Sequence, residues 1–173
     1  DVYKRQVYVS CGEGTVSQGD FHEALNWSSR EKLPVLFHVE DNKYAISVHI
    51  SEQISGSSVY KITSGYKNLK RFEVDGTDFF ETHLAFERAA DRAREGKGPS
   101  VIVSHVVRLL AHSSSDDQRK YRLEKNLNEE KEKDKKELID AMVQNPILIE
   151  RPIIVNGDKV ALGRPPENVL EIL

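Results

Sequence analysis

The chain has 173 residues and a formal net charge of −3, with 31% charged and 38% hydrophobic residues. That balance fits one domain of ordinary size, or one and part of another, and excludes a broad basic field for nucleic acid or an anionic membrane surface. No apolar run approaches the length of a bilayer-spanning helix, and a single cysteine, Cys11, excludes an intrachain disulfide and a cysteine-rich zinc site, which points to a reducing cytoplasm.

Residues 1–6, DVYKRQ, match the reverse-translated end of a sequencing adapter and are set aside as a scar, so the fold is expected to begin at Val7. Residues 7–10 read as a short strand, and CGEGTVSQGD then places Glu13 between Gly12 and Gly14. Glycine permits close backbone approach, so a strand ending in G-E-G can bring N–H groups and one carboxylate against a phosphate or a metal; an ordinary turn uses the same triplet. Residues 20–31 carry helical spacing at Phe21, Ala24, Leu25 and Ser28, and residues 34–39 form an apolar run suited to a buried parallel strand. The Ser- and Gly-rich residues 47–66 read as a loop. A strand at 71–74, a helix over 78–95 with Asp78 as N-cap, the breaker GKGP and a strand at 100–107 complete the alternation. The pattern predicts an α/β fold, a partial doubly wound parallel sheet with ligands at the carboxyl ends of its strands.

Those ends hold the informative residues. Glu13 follows the first strand, EDNKYAIS (residues 40–47) the second, and RLLAHSSSDD (residues 108–117) the last. One crossover separates Glu13 from Asn42, so parallel pairing would set them side by side. A carboxylate, an amide oxygen and a backbone carbonyl form an oxygen-only set that Mg²⁺ accepts when its remaining ligands are water and phosphate oxygens. The combination points to a magnesium diphosphate site.

The stretches GEGTVSQGDFHEALNWSS, LPVLFHVEDNKYAIS, FEVDGTDFFETHLAFERAADRAREGKGPSVIV and RLLAHSSSDDQRKYR resemble the alpha subunits of thiamine-diphosphate-dependent 2-oxo acid dehydrogenases, a likeness that runs from about residue 7 to residue 122. The G-E-G form and the His-Ser-x-Ser-Asp-Asp loop lean toward the branched-chain type. The resemblance implies that Glu13 and Asn42 bind Mg²⁺ by side-chain oxygens and Tyr44 by its carbonyl, that Gly14 and Thr15 offer N–H groups to the diphosphate, and that Arg108 and His112 hold the diphosphate. His112 would also act in catalysis, assisting acyl transfer to a lipoyl group. It further implies a branched-chain 2-oxo acid or pyruvate as substrate, a beta subunit or domain that supplies the activating glutamate, a lipoyl-bearing acyltransferase as partner, and cofactor contacts from a segment preceding the G-E-G strand; without these the chain is expected to be inactive. Ser113 matches a serine phosphorylated in some mitochondrial members. Three positions depart from the family. Glu40 stands where an arginine is frequent, Asp41 replaces an asparagine, and Ala111 replaces a second histidine. Carboxylates at 40 and 41 would repel a diphosphate unless they face away or meet basic partners.

Residues 123–136 form an interleaved charge run, whose ordinary reading is a solvated helix or linker. In residues 137–173, strands at 152–155 and 159–162 flank an Asn-Gly turn, and Pro165-Pro166 opens a closing helix. This stretch resembles the C-terminal part of the arsenate reductase family, a piece of a thioredoxin-like fold. There Arg151 and Arg164 would bind an oxyanion and Pro152 would be cis. The matching nucleophilic cysteine loop is not found, since Cys11 has no arginine at the required interval; an arsenate-reductase-like fragment and a chimera of two gene pieces therefore stand as alternatives. His22, His38, His49, His83 and His105 lack metal-ligand spacing and read as packing or surface histidines, and Cys11 as a small buried hydrophobe.

Overall fold

The computed structural model describes residues 5–144, 153–156 and 159–162. Four parallel strands form its sheet: β1 (Val7–Gly12), β2 (Val35–Asp41), β5 (Lys70–Asp75) and β6 (Ser100–His105), in the order β1-β2-β6-β5. Helix α1 (Gly19–Glu31) links β1 to β2, and α3 (Phe79–Arg94) links β5 to β6. After β2 the chain crosses to the far edge at β5 and returns to β6, which lies beside β2 with Leu36 opposite Ser100 and Asp41 opposite His105. The direction of strand addition therefore reverses between β2 and β6, and the carboxyl ends of these two strands flank the crevice where open α/β sheets take their ligands.

Side-chain alternation along the strands divides the core between the two faces. Phe37, Val39, Val101 and Val103 pack with Phe21 and Leu25 of α1, whereas Leu36, Ile102 and Val74 pack with Ala85, Ala89 and Ala93 of α3. The three alanines let α3 lie close on the sheet. Asp78 caps it as expected, accepting the N–H groups of Phe80 at 2.8 Å and Glu81 at 3.0 Å.

Two local expectations change. On α1 the buried stripe is Phe21, Leu25, Ser28 and Ser29, and Ala24 is exposed; at 3.6 residues per turn, position 24 falls beside that stripe and position 29 within it. Residues 47–66 are not a plain loop. A small antiparallel pair, β3 (Tyr44–Ala45) with β4 (Val48–His49), is followed by 3₁₀ turns and the single-turn helix α2 (Val59–Ile62). Ile50, Ile54 and Val59 insert into the α1-side core. The sparse apolar residues of this Ser/Gly-rich segment recur about every helical turn, which is enough to fold it down.

Helix α4 (Glu124–Gln144) follows, and the chain divides into two compact units after Leu138. In the second unit β7 (Ile153–Asn156) pairs antiparallel with β8 (Lys159–Leu162), a hairpin as expected, but with Asn156 opposite Lys159 as the last residue of its strand where the Asn-Gly signal places it in the turn. Residues 1–4, Arg151, Pro152, Arg164 and the closing helix lie outside the described residues. The expectations of a scar, a cis proline, an oxyanion pair and a thioredoxin-like piece fall wholly or largely there.

Candidate functional site

Strand β1 runs through Cys11 to Gly12, and a 3₁₀ turn (Glu13–Ser17) starts at once, turning Glu13 inward to 1% exposure. Its Oε2 accepts the backbone N–H of Asn42 at 3.2 Å, so the crossover brings positions 13 and 42 into direct contact. Its Oε1 is buried and has no hydrogen-bond partner. Burial raises the Glu13 pKa, opposed by the backbone N–H groups of Glu13 and Asn42 and by the charge of Arg108, while the charge of Asp41 raises it further. An ionised carboxylate with a bare oxygen is costly in such a place. A cation at Oε1 would remove that cost.

Asn42 turns its side chain back to accept the Tyr44 N–H on Oδ1 at 3.1 Å, leaving this oxygen a second lone pair. Gly14 is held against Ala45: a Cβ at position 14 would sit 2.7 Å from the Ala45 Cβ. The second glycine of G-E-G thus admits β3 to the turn that carries Glu13. Thr15 is exposed on the same 3₁₀ turn.

Arg108 donates to the Ile46 carbonyl at 2.7 Å and to the Tyr121 hydroxyl at 2.6 Å, with its guanidinium 5.7 Å from the Tyr44 ring centre. Its Nε is buried without a partner. Tyr121 in turn donates to Asp116 at 2.7 Å, and Asp116 also accepts the His112 N–H at 2.9 Å. The His112 ring itself is exposed. Those two bonds, Tyr121 first, hold the Asp116 pKa below its ordinary value. Beneath them Arg122, buried, donates to the Arg108 carbonyl at 3.1 Å, pairs with Glu130 and lies 5.1 Å from the Tyr44 ring. Glu13, Asn42, Tyr44, Gly14 and Arg108 therefore meet at one end of the sheet, and His112 reaches the group only through Asp116, Tyr121 and Arg108.

The added carboxylates meet partners. Glu40 accepts Ser10 Oγ–H at 3.1 Å. Asp41 is 1% exposed and bound by Lys43, at 2.5 Å through Nζ and 3.0 Å through N–H. Burial alone would raise its pKa, but the hydrogen bonds of His105 and Lys43 bring it below its ordinary value. His105 lies with Nδ1 3.0 Å from Lys43 Nζ and Nε2 3.0 Å from Glu73, and its pKa is raised, first by Asp41. His105 is thus neither a packing nor a free surface histidine, as its spacing implied, but part of an ionic cluster; no linear pattern joins residues 41, 73 and 105. His38 fits that reading: its ring packs edge-on against Phe86 with centres 5.0 Å apart, it lies between Tyr8 Oη and Ser104 Oγ at 3.0 Å each, and burial lowers its pKa. Cys11 is half-buried against the α1-side core. Among the described residues no three His, Cys, Asp or Glu side chains gather as a metal cluster.

Residues 3–158 match the family model of the dehydrogenase E1 component. The chain is 41% identical over 127 residues to the 2-oxoisovalerate dehydrogenase subunit alpha of Bacillus subtilis, covering 73% of this chain and 38% of that protein. It is 36% identical over 117 residues to the 3-methyl-2-oxobutanoate dehydrogenase subunit alpha of Mycobacterium tuberculosis, covering 68% and 32%. Against the pyruvate dehydrogenase E1 component subunit alpha of Bacillus subtilis identity is 33% over 146 residues, covering 82% and 38%. The chain thus spans between 32% and 38% of the length of these relatives. A transketolase from Leishmania mexicana superimposes with a TM-score of 0.49 at 23% identity, over 58% of this chain and 15% of that one.

Proposed function

Because the chain belongs to the dehydrogenase E1 component family, we propose that residues 7–122 form the diphosphate-and-cation end of a thiamine diphosphate site in a 2-oxo acid dehydrogenase alpha subunit. The carrying observation is the bare, buried Oε1 of Glu13 beside Asn42. In this reading Glu13 Oε1, Asn42 Oδ1 and the Tyr44 carbonyl hold Mg²⁺, a hard cation that accepts an all-oxygen set and keeps phosphate oxygens among its ligands. Gly14 and Thr15 present backbone N–H groups on the 3₁₀ turn. Arg108, fixed by Ile46 and Tyr121, sets a positive charge beside Glu13 and steadies the anion. His112 lies exposed on the neighbouring loop, where an incoming acyl acceptor can reach it.

Thiamine diphosphate, when bound, supplies the electron sink for loss of CO₂ from the 2-oxo acid. The protein's own part at this end is to neutralise and orient the diphosphate. The substrate class we assign is a branched-chain 2-oxo acid or pyruvate, and the partners are a beta subunit and a lipoyl-bearing acyltransferase, in keeping with the relatives named above.

Calorimetric titration of thiamine diphosphate into the full chain, with and without Mg²⁺, tests the site. Binding is expected to require Mg²⁺ and to lose that requirement, with most of its affinity, in Glu13→Ala. Equal binding with and without the metal would remove Glu13 and Asn42 as ligands.

A further inference from the structure

The ionic cluster beside the site is not used by the reading above, yet it grips the one turn that reading depends on. Asn42 sits between Asp41 and Lys43, and Lys43 adopts a left-handed backbone, φ 71°. That conformation is disfavoured for a residue with a Cβ, so something must hold it. Its backbone is tied on both sides, the N–H donating to Asp41 Oδ1 at 3.0 Å and the carbonyl accepting the Ile50 N–H at 2.8 Å, and its side chain folds back over the same turn to place Nζ 2.5 Å from the buried Asp41 carboxylate and 3.0 Å from His105 Nδ1. His105 is tied on its other side to Glu73 of β5 at 3.0 Å. The Asp41 backbone is fixed as well, its carbonyl accepting the Val106 N–H at 3.0 Å, one residue beyond β6. Three strands thus converge on the turn whose N–H meets Glu13.

We propose that Lys43 and His105 are positioning residues for the Asn42 turn: by pinning Asp41 from both sides they hold the left-handed backbone at 43, which aims the Asn42 N–H at Glu13 and its Oδ1 at the Tyr44 N–H. The functional consequence, tighter cation binding, rests on the proposed site; the positioning itself does not. The geometry also accounts for how a buried carboxylate at position 41 is tolerated next to a phosphate site. Its charge is paired inside the turn with Lys43, which lessens the repulsion it would exert on an anion. Lys43 alone would satisfy Asp41 electrostatically, but a long flexible side chain has many rotamers. His105, anchored to Glu73, brings its Nδ1 to 3.4 Å from the same Asp41 oxygen and so fixes the carboxylate that Nζ must reach, which selects one of them.

The test is amide hydrogen exchange of the full chain, followed by NMR, in Lys43→Met, Lys43→Arg and His105→Phe. In Lys43→Met the Asn42 and Tyr44 amides are expected to lose protection by about tenfold or more, the equivalent of one lost charged hydrogen bond, while the Val101 and Val103 amides in the core keep theirs. Lys43→Arg, which keeps the charge and its donors, is expected to restore most of the protection. If Lys43→Met unfolds the core, His105→Phe gives the same reading with the Asp41–Lys43 pair intact, and Asn42 protection should fall there too. Unchanged protection at Asn42 in the folded variants would overturn the proposal. Loss in Lys43→Met that Lys43→Arg does not restore would overturn it as well. A separate arm adds Mn²⁺ and thiamine diphosphate. Paramagnetic broadening centred on Asn42 and Tyr44 is expected in the unsubstituted chain, and about tenfold to a hundredfold more Mn²⁺ for the same broadening in Lys43→Met. Absence of broadening in the unsubstituted chain would overturn the cofactor site and leave the exchange result standing.

Discussion

Glu13 combines features that rarely coexist without a ligand: burial, a raised pKa and a carboxylate oxygen without a partner. The sign of its pH effect follows. Because the native pKa lies above the unfolded one, between the two values the unfolded chain has released its proton and the native chain still holds it. Stability conferred by this group is therefore full below the ordinary carboxyl value and declines as pH rises through the raised one. Asp41 acts oppositely, its lowered pKa adding stability above its ordinary value that is lost as pH falls. In metal-free buffer, Glu13→Gln is expected to flatten the decline on the high-pH side of the stability profile and leave the acid limb in place; denaturant titrations from acid to neutral pH would show it. A decline that persists in Glu13→Gln would assign it to another group. The residue's identity as a candidate ligand was legible from the G-E-G triplet and its distance from Asn42. The pairing of Asp41 with Lys43 and His105 was not, because it depends on which strand ends become neighbours, and residues 41 and 105 are joined only by the pairing of β2 with β6.

At the level of elements, local rules and outcomes agree where periodicity is strong. Strands β1, β2, β5 and β6 and helices α1 and α3 fall within a few residues of their expected bounds. The start of α3 is decided by Asp78, whose side chain satisfies two otherwise unpaired N–H groups. Asp78→Ala is expected to cost about 1 kcal/mol of stability and fray the first turn of α3; the loss should appear as faster amide exchange at Phe80 and Glu81, and its absence would mean that packing of the helix on the sheet alone fixes its start. Weak periodicity was misread. The segment after β2 looked like a loop because serines and glycines dilute its apolar residues, yet Ile50, Ile54 and Val59 reach the core and close the α1 side of the sheet.

Across the whole molecule the sheet serves two cores at once, and its centre is where they are inseparable. Ile102 faces α3 while Val101 and Val103 on the same strand face α1, all fully buried. Ile102→Ala is expected to cost about 2 to 5 kcal/mol, lowering the urea midpoint with little change in slope, and the amides of α1 and α3 should lose protection together; loss confined to α3 would show that the two layers unfold separately. By itself the sequence determined the alternation of strand and helix, the carboxylate and amide at the strand ends, and the motifs that mark the dehydrogenase E1 component family, because these depend on residues near one another in the chain. Only the tertiary structure decided that the sheet reverses between β2 and β6, that Glu13 keeps one oxygen bare against the Asn42 turn, and that Asp41, Lys43, His105 and Glu73 lock that turn from three strands. Contacts of that kind arise from strand order and side-chain burial, which bring residues dozens of positions apart to hydrogen-bond distance and leave no mark in the local pattern of the chain.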